Sequence, residues 1–160
     1  MPPQASTAAE DPPALSAWAR LVRAQAVTTK ELRDQLHEQH GLTIKDYEAL
    51  LLLSRADDQR MKRVDLADRL VLTPSGVTRL LEGLEEEGLV ERAACDTDLR
   101  VSYAALTAAG REKLDAASCG HEGSVRSVLE EHLTRDEIET LAELLGKLPG
   151  GQDDDTCPTV

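Results

Sequence analysis

The dipeptide Thr73-Pro74 constrains this chain more than any other pair, because it fixes where a helix must begin. Threonine is a good N-cap, and proline at the first helical position loses nothing by lacking an N–H. Val77, Leu80, Leu81 and Leu84 then mark an apolar stripe, which leaves Ser75, Thr78, Arg79 and Glu82 facing outward. Gly88 ends the helix as a left-handed C′ residue. Just upstream, Val64-Asp-Leu-Ala-Asp-Arg-Leu70 places Leu66, Ala67 and Leu70 on one side of a second helix, which needs the first as its cover. Downstream, Leu89–Ala93 and Val101–Leu106 read as two strands joined by the polar loop Ala94–Leu99. Two helices in close succession and then a hairpin is the order of a winged helix-turn-helix, with the loop as its wing.

The rest of the chain reads as helices. There is no Phe and aromatic residues make up 2%, so the core must be built from Leu, Val and Ala, a mix that suits helices better than sheets. From Ala14, the residues Leu15, Trp18, Val22, Gln25, Thr29, Leu32 and Leu36 recur at alternating spacings of three and four, a seam for another helix. Gly41 ends that helix. Thr43 and Asp46 form a capping box for the next, which carries the apolar Tyr47, Leu50, Leu51 and Leu53. Asp57-Asp58-Gln59 is a turn, and Met61-Lys62 supplies a short third strand to the wing. Thr107 caps a further helix through Leu114, where the two glycines of Cys119-Gly-His-Glu-Gly123 predict a kink or break. Thr134 and Glu137 cap a last helix with Ile138, Leu141, Leu144, Leu145 and Leu148 on one face. No apolar run approaches the ~18 residues of a membrane span, and the start lacks the basic and apolar regions of a signal peptide, so the expected location is cytoplasmic.

From about Leu42 to Leu114 the chain resembles the MarR family of ligand-responsive bacterial transcription regulators. The matching residues are Leu42-Thr43, Asp65-Leu-Ala67, Thr73-Pro-Ser75, Val77-Thr-Arg79, Leu84-Glu85, Gly88-Leu-Val90, Arg92, Asp98-x-Arg100 and Leu106-Thr-x-x-Gly110. Leu99 departs from the Asp-Arg-Arg triplet usual at the wing. The resemblance implies a mainly α fold with a small β wing, a winged helix-turn-helix domain plus a helical dimerisation domain. The division is then 1–13 a flexible arm, 14–41 and 107–148 the dimerisation domain, 42–106 the DNA-binding domain and 149–160 a disordered tail. The terminal helices carry more apolar surface than one winged motif can cover; they pack on each other within one chain or, as the resemblance implies, interleave in a homodimer. A dimer also holds two recognition helices about 34 Å apart, the spacing of successive major-groove faces on a pseudo-palindrome.

The formal charge of −12 weighs against a nucleic-acid binder until its distribution is considered. Residues 60–100 carry seven Lys/Arg against nine Asp/Glu, a net of −2, so most of the acid lies elsewhere. Glu82, Glu85, Glu86, Glu87 and Glu91 lie late in the recognition helix or beyond it, away from the turn that would enter a groove. The expected DNA-contacting set is Lys62, Arg63, Thr73, Ser75, Gly76, Thr78, Arg79, Asp98 and Arg100 on double-stranded DNA. Within it, Arg79 suits bidentate readout of guanine, worth roughly 1–3 kcal/mol of discrimination. Thr73 caps the helix and brings neighbouring N–H groups toward a phosphate. The resemblance braces Arg100 with Asp98 for the minor groove; a surface ion pair is the plainer reading.

Other chemistries find little support. No HExxH, paired Cys-x-x-Cys, phosphate loop or nucleophile elbow occurs, so neither an enzyme nor a cofactor is expected. His37 and His40 share a helix face and could supply half of a zinc site, but surface histidines are the plainer reading and no metal is expected. A protein-interaction module would explain the acidic surface and leucine seams but not the wing. Cys95, Cys119 and Cys157 are odd in number and far apart, which suits a reduced compartment; Cys95 and Cys119 would carry a redox-responsive alternative. The resemblance further implies release by a small aromatic acid or phenol. Its expected lining is Trp18, Arg20 or Arg23, His37 and Tyr47, an aromatic wall with a cation for a carboxylate.

Overall fold

A computed structural model describes residues 12–94 and 101–151. Its helices are α1 (Pro13–His40), α2 (Ile44–Arg55), α3 (Arg63–Arg69), α4 (Pro74–Glu86), α5 (Ala108–Glu130) and α6 (Arg135–Gly146). Its strands are β1 (Arg60–Lys62), β2 (Val90–Ala94) and β3 (Ser102–Leu106), with a 3-10 turn at Asp57–Gln59 before β1. The expected fold class is therefore observed, a mainly helical chain with a small wing sheet. The chain divides into two compact units, residues 1–31 and 32–160. What is described of the first is the start of α1, where Leu15, Trp18, Val22 and Val27 are all exposed.

The second unit holds the core. Leu50 and Leu53 of α2, Leu66 and Leu70 beside α3, and Leu81 of α4 are fully buried, an aliphatic core of the kind a chain without Phe has to build. The sheet is antiparallel in the order β1-β3-β2, with Met61 opposite Ala104 and Arg92 opposite the same residue on the other side. Met61-Lys62 thus supplies the third strand that the sequence predicts.

Among the described residues, four helices begin on a threonine. Thr73 Oγ1 accepts from the Gly76 N–H at 3.1 Å and Thr107 Oγ1 from the Gly110 N–H at 3.0 Å, each satisfying an N–H with no partner inside its helix. Thr43 with Asp46 and Thr134 with Glu137 form complete capping boxes. The Glu137 carboxylate accepts from both the N–H and the hydroxyl of Thr134, which holds its pKa below the usual range. Those bonds are present at neutral pH and weaken as the pH falls and the carboxylate takes a proton.

The predicted interruption at Cys119–Gly123 is not observed, because α5 runs unbroken from Ala108 to Glu130. Two helical glycines cost about 1 kcal/mol each, and burial of Leu114, Ala117 and Val128 on both sides of them outweighs that. Gly120 also has a packing reason: a Cβ there would stand 3.3 Å from Gln39 Oε1 and 3.6 Å from His40 Nε2. At the ends, α1 opens at Pro13, inside the expected arm, and Pro149–Gly151 close a turn through the Gly151 N–H to Leu148 O bond rather than opening a tail. Residues 1–11 and 152–160 lie outside the described residues.

The turn between α3 and α4 contains a strained residue. Val71 has φ +53 and is 89% exposed. It occupies the C′ position of a Schellman motif, in which its N–H reaches Asp68 O and the Leu72 N–H reaches Ala67 O. Gly88 fills the same position after α4 with φ +73, as the sequence predicts. A β-branched residue in the left-handed region costs roughly 1–2 kcal/mol, and glycine there gives back about 0.5–1 kcal/mol through the freedom of the unfolded chain. Val71→Gly is therefore expected to raise the unfolding free energy by up to ~1 kcal/mol, read as a higher urea midpoint. A lower midpoint would mean that the valine makes compensating contacts.

Candidate nucleic-acid interface

The face of α4 that looks outward is set by the face that does not. Val77, Leu81 and Leu84 are buried, so a helical period leaves Ser75, Thr78 and Arg79 exposed on the first two turns. Thr73 Oγ1, already holding the Gly76 N–H, lies 3.2 Å from Ser75 Oγ. A Cβ on residue 76 would stand 3.2 Å from that same oxygen, so glycine leaves the cap room. The Thr78 hydroxyl donates to Pro74 O at 2.8 Å, which commits its proton to the helix and leaves oxygen lone pairs for a donor. Thr73, Ser75, Gly76, Thr78 and Arg79 thus come together as one polar surface at the N-terminal end of a helix whose aligned peptide dipoles favour negative charge.

The other expected contacts fare differently. Lys62 is exposed at the end of β1 and is the N-cap residue of α3. Arg63, one residue on, turns inward: its Nη1 lies 3.4 Å from Glu85 Oε1, and its side chain is only 16% exposed. Asp98 and Arg100 lie outside the described residues, although the strands that carry their loop pair as far as Ala94 opposite Ser102. Sequence reasoning did not single out Arg60 and Arg69. Both are exposed and line a concavity of about 490 Å³ of mixed charge, with Lys62 and Tyr103 but also Asp57, Asp58 and Asp65; Arg60 lies over the Tyr103 ring at 5.4 Å and its Nη2 is 3.6 Å from Asp58 Oδ2. The sequence carries a signal for Arg60, since residues two apart on a strand share a face and Lys62 stands two positions on.

The expected effector residues are distributed over both units. Trp18, Arg20 and Arg23 are exposed on the first unit, and His37 is exposed on the last turn of α1. Tyr47 is instead buried on α2, with its hydroxyl 3.1 Å from Ser118 Oγ and its ring tilted on His121 at 4.6 Å. Tyr47 and His121 belong to a cavity of about 790 Å³ whose apolar lining includes Ile44, Leu51, Val125 and Ile138. Burial lowers the His121 pKa against the opposing pull of Glu122 and Glu48, which favours the neutral ring. Among the described residues no group of three or more His, Cys, Asp or Glu could hold a metal, and no helix is long and apolar enough to cross a membrane. Cys119 is free and exposed, whereas Cys95 and Cys157 lie outside the described residues.

Known proteins share this arrangement. The MarR family model matches residues 42–102, from the start of α2 to the start of β3. The transcriptional repressor YetL of Bacillus subtilis is 32% identical over 108 residues, which are 68% of this chain and 64% of YetL, so the match spans a little under two thirds of that relative. The regulator MhqR of the same organism is 27% identical over 80% of this chain and 86% of its own. Sco3205, a MarR family transcriptional regulator of Streptomyces coelicolor solved in complex with DNA, superposes with a TM-score of 0.76 at 28% identity, covering 89% of this chain and 87% of that one. On the exposed N-terminal turns of α4, the three-stranded wing sheet and these likenesses together, residues 42–102 are a winged helix-turn-helix of the MarR family, the fold of the transcriptional regulators named above.

Proposed function

We propose that this protein binds double-stranded DNA as a homodimer and regulates transcription, as a repressor, at a pseudo-palindromic operator. The observation that carries the reading is the polar face of α4, on which Ser75, Thr78 and Arg79 are exposed while the opposite face anchors the core. The likeness to Sco3205, which was solved on DNA, supports it. Dimerisation accounts for the apolar residues left in water: Leu15, Trp18 and Val22 on α1, Leu144 on α6 and Leu148 just past its end are each 45% exposed or more. A chain that kept them so would forgo roughly 1.5–3 kcal/mol for each large side chain it could bury. In this division residues 42–106 read DNA, and 14–41 with 107–148 hold the two subunits together.

Control by a small molecule belongs to the same proposal. The aromatic acid or phenol implied by the resemblance would act as a dimer-shape effector, releasing DNA by preferring a spacing of recognition helices that the operator does not fit. The cavity around Tyr47 and His121 supplies it an aromatic wall, and Arg126 on its rim supplies a cation.

Arg79→Ala tests the reading. It is expected to cost about 1–3 kcal/mol of operator binding and to relax preference at one base pair per half-site, while leaving sedimentation as a dimer unchanged. Unchanged base preference would take Arg79 out of the groove. A protein-interaction module would instead lose partner capture with no operator to lose, and a redox-responsive regulator would release DNA on oxidation in the parent but not in Cys119→Ser.

A further inference from the structure

We infer that Arg63 positions the recognition helix through Glu85 and does not touch DNA. Arg63 is the first residue of α3 and Glu85 the next-to-last of α4, twenty-two positions apart in the chain. Each charge stands at the unfavourable end of its own helix, a cation where aligned N–H groups already make the field positive and a carboxylate where carbonyls make it negative. The pair cancels both conflicts across the turn, with Nη1 and Oε1 3.4 Å apart and the two side chains 16% and 29% exposed. Of the acids late in α4 and at its C-cap, Glu82, Glu86 and Glu87 are exposed, and Glu85 alone is drawn inward. The pair therefore fastens the far ends of the two helices, while Leu66, Leu70, Val77 and Leu81 belong to one buried cluster. The pair thereby sets the angle at which α4 presents Ser75, Thr78 and Arg79.

This inference rests on the DNA-binding reading for its consequence but not for its physics, and both can be measured separately. The variants are Glu85→Gln, Arg63→Gln and the two together, and the first readout is urea unfolding without DNA. Each single change is expected to lower the midpoint, because it leaves the other charge uncompensated at the wrong helix end, and the double change is expected to recover most of the loss. Additive losses would overturn the coupling even if the protein bound no DNA at all.

The second readout is binding to an operator selected from genomic DNA and to a random duplex across a salt series. Glu85→Gln removes a negative charge and so favours any duplex on electrostatic grounds, yet it is expected to weaken operator binding several-fold with random binding no weaker. Arg63→Gln is expected to weaken operator binding with the slope of log affinity against log salt unchanged. If Arg63 met a phosphate in each half-site, that slope would become shallower by about 1.8, from two contacts at roughly 0.9 each, and both duplexes would suffer. That result, or tighter operator binding by Glu85→Gln, would return Arg63 to the DNA-contacting set.

Discussion

Gly110→Ala is expected to cost 3 kcal/mol or more of folding free energy, although alanine is the better helix former by about 1 kcal/mol. The position lies in the first turn of α5, buried where the helix crosses the chain reversal after α4. A Cβ there would stand 2.0 Å from Leu89 O and 2.7 Å from Leu106 Cδ1. The leucine methyl can turn away, but the carbonyl cannot. Leu89 O accepts the Thr107 N–H at 3.1 Å, and Thr107 Oγ1 donates to Gly88 O at 2.7 Å while it accepts from the Gly110 N–H. Moving Leu89 breaks the bonds that join α5 to the wing strands. Overpacking a core side chain costs typically about 1–3 kcal/mol, and a backbone obstacle belongs at or above the top of that range. Gly123→Ala in the same helix is the control: nothing lies within 4 Å of its Cβ position, and it is expected to gain up to ~1 kcal/mol. Urea unfolding of both variants decides the matter, and a Gly110→Ala protein within about 0.5 kcal/mol of the parent would show that the crossing can widen.

These two glycines mark where local sequence reasoning reaches and where it stops. Thr43, Thr73, Thr107 and Thr134 were legible as caps because a cap is a contract between residues three apart. Gly88 was legible as a helix end and the outward face of α4 as a face, since both follow from the period of a single helix. Val71 was not. Valine carries no signal for a left-handed residue, and only the burial of Leu70 on one side and the capping of α4 on the other hold it there. The glycines of α5 misled in the opposite sense, because their cost is local and the packing that overrides it comes from the end of α1 and from α2. Arg63 reads as a DNA contact in the sequence because its partner Glu85 is twenty-two residues away and leaves no local signal.

The second large effect is expected from salt. Arg60, Lys62, Arg69 and Arg92 are exposed on β1, β2 and α3, and a two-fold dimer would present each of them twice. If those eight cations meet phosphates, the slope of log affinity against log salt is about −7, so raising salt from 50 to 200 mM should weaken operator binding roughly 10⁴-fold. The formal charge of −12 on each chain sharpens the contrast instead of opposing it. A duplex that is not held in register by α4 meets the acidic remainder of the protein as well as the cations, so random DNA should lose measurable binding well before the operator does. Fluorescence anisotropy of a labelled operator and of a scrambled duplex, each across the same salt series, measures both slopes. An operator slope shallower than about −3 would leave fewer than four phosphates neutralised per dimer. Most of the cations beside α4 would then have to serve the protein's own fold, as we infer for Arg63, and base contacts from the first turns of α4 would have to supply most of the affinity.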